Sequence, residues 1–202
     1  MRIKTFTLVL AGFLASNLMA TAPQAADQAP NAEMQAMMAK AKEYSTPGAE
    51  HEVLKALEGT WTTSASSWMK PGDKPMKSVG SSTISWVLDG HFLKQEFKGD
   101  MMGQAFQGLG YTGYDKMKKQ YTSVWMDNMS TSMFQATGQY DAKTKTLKDG
   151  GTFSCPITGE KDMPFRTEWK IVNANNNIYT MYVKDASGKE YKSMELRYKR
   201  AQ

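Results

Sequence analysis

The carboxylate best placed for chemistry is Asp127, which ends the run Tyr121-Thr122-Ser123-Val124-Trp125-Met126-Asp127. If that run is a β-strand, Tyr121, Ser123, Trp125 and Asp127 share one face, because side chains alternate along a strand. Turned inward, that row sets a carboxylate, a phenol and a hydroxyl beside an indole in a dry space, where acid/base chemistry or ligand anchoring becomes possible. The competing role is structural, with Asp127 capping the turn Asp127-Asn128-Met129-Ser130. Gly108-Leu109-Gly110-Tyr111-Thr112-Gly113 fits the spacing of a dinucleotide-binding loop. Such a loop must open a helix whose N-terminus meets the phosphates. Here Tyr114-Asp115-Lys116 is a turn and a further strand follows, so the glycines belong to a bent strand of a barrel.

Metal and nucleophile chemistry is thinly supplied. The two histidines, His51 and His91, are not spaced with other ligands, and no metal site or cofactor is expected. His51 is expected on a helix face or at its cap, and His91 at a solvated turn. The chain has 16 methionines, and Met34-Gln35-Ala36-Met37-Met38 invites a copper(I) reading. Packing is the better account, with methionines filling irregular apolar space, including a helix across a barrel mouth. Cys155 is the single cysteine, so no intramolecular disulfide forms.

The N-terminus reads as a secretory signal. Arg2 and Lys4 precede the apolar stretch Phe6 to Leu18, and small residues follow to Ala25-Ala26. The apolar run is shorter than the roughly 20 residues a membrane span requires. Cleavage is expected after Ala26, with Ala22 as an alternative. The expected organisation is a signal peptide over residues 1–26, a linker and helix over 27–48 and a β-barrel domain over 49–202. Residues 27–202 carry 23 basic and 20 acidic side chains, a net of +3. That balance is too mild to imply nucleic acid, and Lys116, Lys118 and Lys119 are expected at a solvated hairpin tip. The expected location is therefore outside a bacterial cytoplasm, in a periplasm or secreted, with no membrane span after cleavage.

Two short helices are expected, Ala32 to Tyr44 with Asn31 as cap, and Ala49 to Glu58 ended by Gly59. Beyond Gly59 the texture is short runs rich in Thr, Val, Trp, Tyr and Phe between turn residues such as Asp89-Gly90, Asp141-Ala142-Lys143 and Asp185 to Gly188. About ten strands follow from that spacing. Short connections make neighbours antiparallel. Alternation in Phe165-Thr167-Trp169-Ile171 against Arg166-Glu168-Lys170 gives one buried and one solvated face, and so many half-buried strands must close into a barrel or fold into a sandwich.

Gly59-Thr60-Trp61, at the start of the first strand, resembles the G-x-W signature of the calycin superfamily of ligand-binding barrels. There a basic residue near the chain end often packs on the tryptophan, a role open to Arg197 or Arg200. The longer match is specific: His51 to Trp61, Gly90-His91-Phe92-Leu93 through Met101-Met102-Gly103, Phe106 to Gly110, Gly113-Tyr114-Asp115 and Tyr121 to Met129. Over His51 to Lys199 the chain resembles the bacterial family known as domain of unknown function 1579. That resemblance implies an all-β fold: an antiparallel meander of about ten strands closed into a calycin-like barrel, preceded by two short helices. It implies no activity. Haem-binding members of the superfamily usually ligate iron through a histidine on a late strand; this chain has Met194 and Tyr198 there, which argues against histidine-ligated haem.

The functional expectation is a barrel that takes a small apolar or amphipathic molecule. Trp86, Gln95, Phe97, Tyr121, Trp125, Met133 and Trp169 form its wall, and Asp127 is a polar anchor. Two alternatives stay open: an enzyme using Asp127 with Tyr121, or a barrel filled by its own side chains. Oligomeric state is not legible.

Overall fold

Asn31 starts the first helix, α1 (Ala32–Ser45), its Oδ1 accepting the Met34 N–H at 2.9 Å. This computed structural model describes residues 31–155 and 159–202, so the expected signal peptide lies outside the described residues. The chain divides into two units, one ending at Met38 and the other spanning Ala39–Gln202, and the barrel lies wholly within the second. No residue of α1 is buried, and Met34, Met37 and Met38 are 52%, 68% and 59% exposed. The packing role expected for these methionines is therefore corrected.

The second helix is shorter than its apolar spacing suggested. α2 (Ala49–Leu54) runs into a 3₁₀ turn at Lys55–Leu57. His51 sits at its third position, where Nδ1 accepts the Gly48 N–H at 3.1 Å, a capping role at a helix N-terminus.

Ten strands follow: β1 (Gly59–Ser67), β2 (Met76–Val87), β3 (Phe92–Met101), β4 (Gln104–Asp115), β5 (Gln120–Asp127), β6 (Phe134–Asp141), β7 (Thr146–Phe153), β8 (Met163–Asn173), β9 (Asn176–Lys184) and β10 (Glu190–Arg200). Each pairs antiparallel with the next, and β1 pairs with β10 from Trp61↔Arg200 to Ser67↔Met194, which closes the barrel. Closure leaves no edge strand with unpaired backbone groups. Aspartates set several turns. Asp115 Oδ1 accepts the N–H groups of Met117 and Lys118 at 2.9 Å each, and Asp141 and Asp185 accept at their own turns.

The register assigns the inward rows. Trp61, Thr63 and Ala65 on β1 lie opposite Tyr198 and Leu196 on β10 and Ser82 on β2. Around the rest of the ring the inward row includes Leu93, Gln95 and Phe97, then Gly108 and Gly110, then Tyr121, Ser123, Trp125 and Asp127, then Phe134 and Ala136. Leu147, Asp149 and Gly151, then Phe165, Thr167 and Trp169, then Asn177, Tyr179, Met181 and Val183 complete it.

At the end where β1 begins, α2 and the 3₁₀ turn act as a plug. Leu54 and Leu57 are 1% and 2% exposed and share a core with Trp61, Ile84, Leu93, Tyr121, Leu147, Trp169, Leu196 and Tyr198. Trp61 is fully buried. Its Nε1–H donates to the Leu57 carbonyl at 2.9 Å, and the Arg200 guanidinium lies 4.2 Å from its ring centroid. Of the two basic residues expected near this tryptophan, Arg200 is the one that covers it; it also holds the Glu58 carbonyl at 3.0 Å.

Candidate functional site in the barrel lumen

Moving away from the plug, the inward rows change from apolar to polar. Gln95 Nε2 donates to Ser82 Oγ and to Tyr198 Oη, both at 3.1 Å. Across the lumen Ser123 Oγ donates to Asp149 Oδ2 at 3.1 Å, and the Thr167 hydroxyl donates to Asp149 Oδ1. Burial raises the Asp149 carboxyl above its ordinary range, against the lowering effect of those two hydroxyl donors. Tyr179, beside it, has its phenol pushed up by burial and then by the Asp149 charge.

Asp149 and Tyr179 are deep enough to be desolvated, yet both keep partly accessible surface. Further from the plug, two aromatic groups stand on the inward rows. Phe97, Phe106 and Trp125 pack with ring centroids 5.8–6.5 Å apart, and Phe134, Phe153 and Phe165 with centroids 5.4–6.3 Å apart. All but Phe165 are partly exposed although they face inward. At the rim, Met69, Met76, Met101, Met102, Met129 and Met133 are exposed, so the mouth is lined with flexible thioethers.

Gly108 and Gly110 position Trp125. A Cβ built on Gly108 would lie 2.1 Å from Trp125 Cζ2, and one on Gly110 3.0 Å from Cε3, so the indole occupies the space two side chains would fill. The glycines do sit within a barrel strand, as expected, and their more specific use is to seat an aromatic ring. Asp127 fixes that ring: Oδ2 accepts the Trp125 Nε1–H at 3.0 Å and Oδ1 accepts the Met129 N–H at 3.0 Å. It thus caps its turn and orients the indole at once.

The eight wall and anchor residues chosen from sequence separate into groups. Trp125 and Asp127 line the open half, Gln95 lies in the polar belt, and Phe97 joins the two halves, packing against the plugged core as well as on Phe106 and Trp125. Trp86, Tyr121 and Trp169 pack in or against the plugged core. Tyr121 is 3% exposed, its hydroxyl donates to the Glu50 carbonyl at 2.9 Å, and burial pushes its phenol up to about 12. Six residues of extended strand, about 20 Å, separate it from Asp127. The two do not form one acid/base pair. Met133 is corrected: it precedes β6, is 61% exposed, and the inward row of that strand is Phe134, Ala136, Gly138 and Tyr140.

Asp149 is not among the residues chosen from sequence, although it lies within the strand expected from Thr146 to Ser154. Its parity with Leu147 and Phe153 was the available signal. His91 also departs from expectation. It is half-buried, with its two ring nitrogens against the carbonyls of Leu88 and Ser45. Lys116 is no free hairpin charge either, since Nζ donates to the Glu43 and Thr46 carbonyls at 2.6 and 3.0 Å. The two histidines share a cleft of about 360 Å³ with Tyr44, Tyr114 and Lys116. Among the described residues no cluster of three or more His, Cys, Asp or Glu side chains is arranged to hold a metal ion.

The fold and site define a class: calycin-like closed barrels of ten antiparallel strands, plugged at one end and lined with aromatic rings at the other. Within it the chain belongs to the family described as protein of unknown function (DUF1579), whose model matches residues 46–200. Among solved structures it is similar to Rv2717c from M. tuberculosis, at 11% identity and a TM-score of 0.58, over 78% of this chain and 100% of that one. That likeness concerns the fold alone. A redesigned β barrel is 12% identical over 74% of this chain and 96% of its own, with a TM-score of 0.38, too low to support any inference. No curated protein matches the chain.

Proposed function

We propose that this is an exported carrier or receptor barrel that binds one small apolar or amphipathic molecule in the half of the lumen opposite the plug. The observation that carries the reading is the partial exposure of inward-facing Phe97, Phe106, Trp125, Phe134 and Phe153 above a hydrogen-bonded polar floor. Aromatic walls with a few convergent polar groups are the usual make-up of a small-molecule site. Export rests on the N-terminal pattern of Arg2, Lys4, the Phe6 to Leu18 run and the small residues to Ala26. Among the described residues no helix is long and apolar enough to cross a membrane.

The test is titration with N-phenyl-1-naphthylamine, a neutral fluorescent probe. Saturable binding at one probe per chain is expected, weakened about tenfold by Trp125→Ala, in line with the loss of one aromatic contact. Met133→Ala leaves it unchanged. A linear, unsaturable response, or equal binding by the Trp125→Ala protein, would overturn the reading. Native mass spectrometry of gently purified protein is the complementary check for a retained natural ligand.

A further inference from the structure

The charges of the barrel are sorted by face. The outward rows carry Lys94, Lys98, Lys148, Arg166, Lys170, Lys192, Arg197 and Lys199, several of them in ion pairs with outward carboxylates. The inward rows of the described strands carry Asp127 and Asp149 and no lysine or histidine. Their one arginine, Arg200, lies at the plugged end over Trp61. A chain that is basic overall therefore encloses an acidic lumen.

Asp149 is the sharper of the two acids. Its partners are hydroxyls, from Ser123 on β5 and Thr167 on β8, and it has no ion pair among the described residues. Two donors leave acceptor capacity on both oxygens, since a carboxylate offers about four lone-pair sites. An anion kept from water without a counter-charge is costly, and a cation brought to it recovers much of that cost. The inward rings present the complementary feature, because aromatic faces attract ammonium groups and stack little on anions.

We propose that the lumen selects a cationic amphiphile, a molecule carrying an amine or quaternary ammonium group on an apolar body. The charged group meets Asp149, and the apolar body lies among Phe97, Phe106, Trp125, Phe134 and Phe153. This deepens the binding reading above and rests on it.

Decyltrimethylammonium, decanol and decanoate, matched in chain length, provide the test through intrinsic tryptophan fluorescence of the whole protein at pH 7.5. The cation should bind at least about tenfold more tightly than the alcohol, the scale of one charge-assisted contact, and decanoate should bind most weakly. Asp149→Asn should remove the preference, so that cation and alcohol bind with similar affinity. A second measurement needs no variant. Asp149 is faced by Ser123 from β5, Gly138 from β6, Thr167 from β8 and Tyr179 from β9. Burial raises the Asp149 carboxyl above its ordinary range, so it takes up a proton as pH falls from 7.5 towards 4. Cation affinity in the unaltered protein should therefore fall as pH is lowered over that range while decanol affinity stays flat. Equal binding of cation and alcohol, a preference retained by Asp149→Asn, or a flat pH profile for the cation would each overturn the inference. Failure of all three ligands also overturns it, whereas N-phenyl-1-naphthylamine decides separately whether the lumen binds anything.

Discussion

The two halves of this barrel use the same strands and the same alternation, yet one packs a large core under a helical plug and the other holds a smaller buried cluster, Ala136, Phe165 and Val183, edged by partly exposed rings. In the plugged half Trp61, Leu54, Leu57, Ile84 and Leu93 are at most 3% exposed, and α2 with its 3₁₀ turn supplies the apolar groups that complete the core. In the other half no helix among the described residues covers the end, and inward rings such as Phe97, Trp125 and Phe134 keep accessible surface. The lesson is that alternation makes an interior, but a separate element must cap it before it becomes a core. Stability and binding are thereby assigned to opposite ends of the same ten strands.

Substitutions can break that division. The largest stability effect is expected in the plugged half: Trp61→Ala removes a fully buried indole, its bond to Leu57 and the Arg200 contact. It should cost about 3–5 kcal/mol in urea unfolding. Trp125→Ala, in the open half, should cost only about 1–2 kcal/mol while it weakens probe binding. Similar stability losses from the two tryptophans would abolish the distinction.

Asn177 sharpens the comparison from inside the core. It is 1% exposed, and neither atom of its side-chain amide has a partner among the described residues. Replacement by leucine, similar in volume, should raise stability by about 1–2 kcal/mol, the size of an unsatisfied buried polar group. A loss in melting temperature would show that the amide is held from outside the chain.

Asp149 gives the open half a pH signature. Its folded-state pKa is raised by burial, so the folded protein takes up a proton more readily than the unfolded chain. Stability from this group is therefore greatest at low pH and declines as pH rises from the ordinary carboxylate range through the raised value. Asp149→Asn should have the higher melting temperature at pH 7, with the difference vanishing below about pH 4. The smallest effect is expected outside. Arg166 pairs with Glu190 and Glu168 at 2.7 and 2.6 Å and lies over Tyr182, but its side chain is 41% exposed. Arg166→Gln should cost under about 1 kcal/mol, and less in high salt.

Strand number, order of elements and most faces were legible because turn residues and period-2 patterning are local. The run Tyr121 to Asp127 is a strand, as its alternation suggested, and its Tyr121 row faces inward. The β6 row was misread at Met133 because its loop continues to Met133 and the strand starts at Phe134. The plug was not legible as a plug, since its task depends on where the barrel closes. The same holds for Asp149, whose significance comes from Ser123 and Thr167, 26 and 18 residues away. Gly108 and Gly110 announced themselves by spacing, but only the register with Trp125 says what they seat.

The unequal halves are tested most directly by ¹⁹F NMR of the protein labelled with 5-fluorotryptophan, titrated with N-phenyl-1-naphthylamine. The Trp125 resonance should move and saturate at one probe per chain while that of Trp61 stays fixed. An unmoved Trp125, or a Trp61 that shifts by as much, would contradict the account.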